Sequence, residues 1–190
     1  MRGHDLFRYT AITAVIACYL TILIGGNVMA SGSGLACPDW PSCNGTFTPP
    51  LAGGAGIEWS HRLAAFGLSV IIAFLAVLAV AFERNRPVLL RLTMASLSTV
   101  VGQALLGGAV IDSRLYVTIV LLHLGLATAL FGLLLLLVGL SNLRELPRRW
   151  LEWAHHAAME ERVDEAPNSG PTPSPAGSST ASVPLLVRRL

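Results

Sequence analysis

His61 and His123 are the residues with the clearest chemical potential in this sequence, because each lies inside a long apolar stretch. An ionisable side chain within a membrane span is costly and marks a functional position. His61 follows "EWS" and His123 follows "YVTIVLL". Both therefore lie a short way in from the same side of their segments. At ~1.5 Å of rise per residue, their depths differ by only a few ångströms. Two neutral imidazoles at one depth on different helices can bind one heme iron from opposite faces. Hydrogen bonding between helices is the competing use of such residues. For either histidine alone that use is the better reading; for the pair, membrane cost and shared depth favour heme.

Several neighbours extend the set. Glu58 and His61 are three residues apart, on one face of a helix. Arg62 can pair with a propionate, or snorkel at the interface. In "GQALLGG", Gln103 is a buried amide that needs a partner. Gly107 and Gly108 remove bulk, admitting either a flat ring or another helix. Gly25 and Gly26 read the same way. His155 and His156 are assigned no metal.

The loop "GLACPDWPSCNG" carries Cys37 and Cys43. Pro38 and Pro41 restrict the backbone between them, which pre-shapes the loop for closure. Two readings stay open, a structural staple and a redox-active pair. Zinc is disfavoured, because the loop holds no further Cys or His. Cys18 reads as a small buried apolar residue.

These residues need helices to hold them. More than half of the 190 residues are hydrophobic. Four runs reach the roughly 20 residues that a span requires: 9–30, 59–82, 88–111 and 115–140. A cleaved signal peptide is the lesser reading of the first, whose apolar run is too long for one. Residues 1–143 thus form an all-α, integral membrane four-helix bundle that binds lipid. Residues 144–165 read as an amphipathic segment on the inner surface, and the Pro/Ser/Gly-rich 166–190 as a disordered tail. Arg2, Arg8, Arg84, Arg86, Arg91, Arg144, Arg148 and Arg149 gather at one side. The positive-inside rule makes that side cytoplasmic, with both termini there and the cysteine loop outside. Trp40, Trp59 and Tyr116 then fall near the outer interface. The basic side chains, all Arg, nearly balance the acidic ones, a net charge of +2, which implies no nucleic-acid partner.

"GLACPDWPSCNG", "EWSHRLAA", "GQALLGGAV" and "LLHLGLATAL" together resemble the heme A synthase family, over about residues 9–140. The resemblance implies oxidation of a methyl group of heme O to the formyl group of heme A, for terminal oxidases of a prokaryotic cell membrane. It implies a Cys37–Cys43 disulfide, heme iron ligation by His61 and His123, and a Glu58 needed for activity. It makes heme O and heme A substrate and product, and heme O synthase and an electron donor the partners. Typical members join two similar four-helix halves. This chain matches the first and lacks the second, which holds heme b, so it is expected to assemble with copies of itself. A non-enzymatic bis-histidine cytochrome b is the alternative. A membrane thiol–disulfide carrier is a third reading, for which the sequence lacks a C-x-x-C motif.

Overall fold

A computed structural model describes residues 3–49 and 52–142, together with Met159. The four apolar runs are helices α1 (Gly3–Ala30), α2 (Gly53–Phe82), α3 (Pro87–Asp112) and α4 (Val117–Asn142). Each is long and apolar enough to cross a membrane. The segments expected at 144–165 and 166–190 lie outside the described residues, Met159 apart.

Helix ends differ from the hydropathy boundaries for local reasons. Helix α1 starts six residues before Tyr9, because the polar "HDLFR" continues the helix and sets Asp5 in its first turn. A carboxylate there complements the helix dipole. Helix α2 starts at Gly53, ahead of Trp59. Its glycine-rich first turn is supported from outside: a Cβ at Gly54 would stand 3.2 Å from the Ala36 Cβ. Helix α3 opens on Pro87, whose missing N–H costs nothing at a first helical position. Helix α4 is delayed to Val117 because Arg114 and Leu115 both take positive φ, 53° and 64°. These two residues close a tight connection in which Leu115 N–H donates to the Val110 carbonyl at 2.9 Å.

The helices form a square. α1 packs against α2 and α4, and α3 packs against α2 and α4. The diagonal pairs, α1/α3 and α2/α4, have no Cα–Cα approach within 8 Å.

The apolar core fills only one half of this square. It is built from Phe7, Ala11, Ala14 and Cys18 of α1, and Leu68, Ile72, Leu75, Leu78 and Ala79 of α2. Leu89 and Val100 of α3 and Leu130, Leu134 and Leu137 of α4 complete it. That half lies at the N-terminal end, and polar contacts tie it off. His4 Nδ1 sits 2.6 Å from Glu83 Oε1, and Arg86 donates to the Leu140 carbonyl at 2.8 Å. Towards the other end, the loop end, α4 has no buried residue before Leu130. α2 has none between Trp59 and Leu68.

Candidate functional site

The loop between α1 and α2 is folded around a disulfide. Cys37 and Cys43 are bonded, with Cα atoms 4.6 Å apart. Both are fully buried, packed with Trp59 and Ala55. Trp59 packs directly against the disulfide. Asn44 and Gly45 take positive φ, 53° and 75°, while Cys43 and Thr46 exchange two backbone hydrogen bonds across them. This is the two-residue turn for which Asn-Gly is the favoured pair. Asp39 closes the same turn, accepting from Asn44 N–H (2.6 Å), Gly45 N–H (3.0 Å) and the Ser42 hydroxyl. The Ser42 and Gly45 hydrogen bonds hold the Asp39 carboxyl down at about 2, against a partial opposing desolvation.

The loop is gripped from α2. Glu58 is almost fully buried, and its Oε2 accepts from Cys37 N–H at 2.7 Å. Its Oε1 accepts from Arg62, one turn further along. Arg62 also donates to the carbonyls of Cys37 (2.8 Å), Asp39 (2.6 Å) and Ser42. The guanidinium, a rigid fork of donors, is thus directed at the loop backbone. α3 holds the loop from its other side. A Cβ at Gly108 would meet the Trp40 indole at 3.2 Å, so the ring rests directly on the α3 backbone.

Just inside this loop lie the two histidines. His61 is eight residues after Gly53 and His123 six after Val117. At ~1.5 Å per residue this gives depths of roughly 12 and 9 Å. Their helices form one diagonal of the square. Glycines on the other diagonal flank them, with Gly25 of α1 against His61 and Gly107 of α3 against His123. Gln103 Nε2 donates to the backbone carbonyl of His123 at 2.8 Å, which pins α4 to α3 at this level.

Three observations fit these residues to a heme. Nδ1 of each histidine is buried without a hydrogen-bond partner. Such orphans are rare and call for an explanation, and a missing ligand is one. The backbones of α2 and α4 stand apart, as a ring between them needs. Neither histidine belongs to the main apolar cluster, which ends before this level. Among the described residues, no group of three or more His, Cys, Asp or Glu side chains could hold a bare metal ion.

The structure therefore brings Glu58, Arg62, Cys37 and Cys43 into one cluster. It brings His61, His123, Gly107 and Gln103 into a second, directly beneath. Gly108 belongs to the seat of Trp40. The sequence reading passed over Asp39 and the Asn44–Gly45 turn, and gave Trp40 only a place near the outer interface. The Asn-Gly pair was the available signal for the turn, whereas the Trp40–Gly108 contact is long-range and leaves no local pattern.

The profile of the cytochrome oxidase assembly protein family, COX15-CtaA, matches residues 8–56 and 52–160. The heme A synthase of Geobacillus kaustophilus is 33% identical over 144 residues, covering 75% of this chain and 45% of that protein. The heme A synthase of Lysinibacillus sphaericus is 33% identical over 144 residues, covering 73% and 47%. That of Bacillus pumilus is 35% identical over 123 residues, covering 62% and 39%. The chain thus spans less than half the length of these relatives.

Proposed function

The chain is a multi-pass cell-membrane protein that belongs to the COX15-CtaA family of cytochrome oxidase assembly proteins, and from this we propose that it binds heme between His61 and His123 and acts in the conversion of heme O to heme A. What carries the proposal is the histidine pair itself, on diagonal helices and outside the main apolar cluster. Bound between two imidazoles, heme supplies an iron centre for oxidation at the ring periphery.

The chain's own residues have separable roles in this reading. His61 and His123 hold the iron and fix the plane of the ring. Gln103 and Gly107 set the position of His123, and the disulfide loop excludes water from above. Glu58 is assigned to manage a proton, or to orient water, near the reacting methyl group. Its carboxylate is engaged by Cys37 N–H and by Arg62. The Arg-rich end, with Arg84, Arg86 and Arg91, faces the cytoplasm, and the disulfide loop faces outside. A second copy, a heme O-producing enzyme and an electron donor are the fitting partners.

One observation favours a second reading. With both Glu58 oxygens committed to holding the loop, the same bundle serves as a bis-histidine cytochrome b that carries electrons or heme. Co-expression with a heme O source, followed by heme extraction and chromatography, separates the two. Heme A in the extract supports the synthase, and heme b alone supports the cytochrome. A chain that retains no heme refutes both.

A further inference from the structure

The two hairpins of the bundle share an arrangement. In each, the first helix supplies a glycine and the second a histidine whose ring lies on it. Gly25 of α1 backs His61 of α2, and Gly107 of α3 backs His123 of α4. The two contacts differ in tightness. A Cβ at Gly25 would stand 2.8 Å from His61 Cε1, 3.3 Å from Nδ1 and 3.4 Å from Nε2. A Cβ at Gly107 would stand 3.4 Å from His123 Cε1. Carbon atoms attract best at roughly 3.5–4.0 Å and repel steeply inside that range. The first distance is therefore a clash and the second a close contact. Gly26, the next residue of α1, has nothing within 4 Å of such a Cβ.

We infer that Gly25 is a positioning residue: the absence of a side chain there sets the orientation in which the His61 imidazole is presented to heme. The inference rests on the heme reading above and adds a residue to it. Its physical content is a difference between two states. Without heme, the imidazole is the free end of a side chain with two rotatable bonds and can swing away from an added methyl. Alanine is also a better helix former than glycine by about 1 kcal/mol, so Gly25→Ala leaves the unloaded protein at least as stable. Once the ring is tied to iron, swinging aside breaks or tilts the bond. The penalty then falls on the loaded state alone. Residues that orient a metal-ligating histidine change metal affinity by about 10–100-fold when altered.

The test uses the full chain, produced with heme supplied and purified in mild detergent, as wild type, Gly25→Ala, Gly26→Ala and Gly107→Ala. Heme retained per chain, the ferric low-spin paramagnetic resonance spectrum and the thermal unfolding of the unloaded protein are measured. Gly25→Ala is expected to lose heme affinity by about tenfold or more, with shifted g values and unchanged unloaded stability. Gly26→Ala should match wild type, and Gly107→Ala should fall closer to wild type than Gly25→Ala. Unchanged affinity and g values in Gly25→Ala overturn the inference. So does an equal effect in Gly26→Ala, which would trace to the helix and not to the contact. Loss of stability in unloaded Gly25→Ala overturns it too, by making the role one of packing. A wild-type chain that holds no heme, or one whose spectrum ignores His61→Ala, overturns the heme reading and this inference with it.

Discussion

Arg62 and Cys37 are joined by a 2.8 Å hydrogen bond from the guanidinium to the cysteine carbonyl, while the N–H of the same cysteine donates to Glu58. Both polar ends of one residue are thus held by a buried ion pair on α2. Removing one partner of such a pair leaves the other charge buried alone, at a cost of about 3–5 kcal/mol. Arg62→Ala is therefore expected to loosen the whole loop. Limited proteolysis of residues 31–52 should show faster cleavage than in wild type. An unchanged cleavage rate would rule out the clamp.

Glu58→Gln divides the two tasks assigned to this carboxylate. The amide oxygen still accepts from Cys37 N–H, but the charge facing Arg62 is gone. Heme retention should stay near wild type while heme A output falls. Normal output from this variant would remove Glu58 from proton handling.

His61→Ala and His123→Ala should each leave heme with one protein ligand. Absorption should move towards the high-spin form and heme should be held more loosely, and the double variant should bind none. His4→Ala, at the opposite end of the bundle, is the control and should leave the spectrum unchanged. A single variant at position 61 or 123 with an intact low-spin spectrum would reduce that histidine to a packing role.

The disulfide closes a short ring, six residues apart in sequence, which limits its effect on the unfolded chain to about 2 kcal/mol. Cys37 and Cys43 should resist a thiol label until a reductant is added. Reduction should lower thermal stability modestly without unfolding the helices. Labelling of both cysteines without reductant would refute the pairing.

Asp39 makes the loop sensitive to acid. Its carboxyl is held at about 2 in the folded loop, against 3.8 in the free residue. The unfolded loop therefore binds more protons between these values, and stability falls as pH falls. The contribution is complete above about pH 4 and is lost as pH drops through about 2. Pepsin cleavage of the loop should rise steeply over that window, and Asp39→Asn should flatten the profile.

Some of this was open to reading from sequence and some was not. Hydropathy located all four helices, because a span must be apolar along its whole length. It placed the ends less well: Gly53 and Gly54 read as loop until Ser33 and Ala36 are seen packed on Gly54. The histidines stood out through their apolar surroundings, and the cysteine pair through its prolines. That α2 and α4 are diagonal depends on how four helices close, which no local pattern carries. Arg62 illustrates the same limit. Its charge suggested a propionate, but its contacts run to carbonyls 20 to 25 residues away.

The uneven distribution of the core gives the bundle a gradient of stiffness. From Phe7 to Cys18 on α1 and from Leu130 to Leu137 on α4, interlocking side chains and the His4–Glu83 contact fix the helices to one another. Towards the loop, the contacts are the Glu58–Arg62 grip on the loop, the Gln103–His123 bond, Trp59 against the disulfide and Trp40 on Gly108. The packing that holds the core half together involves neither histidine. An insertion pathway can therefore deliver the chain to the bilayer as a finished but unloaded scaffold. On the heme proposal above, loading would then be a step separate from insertion.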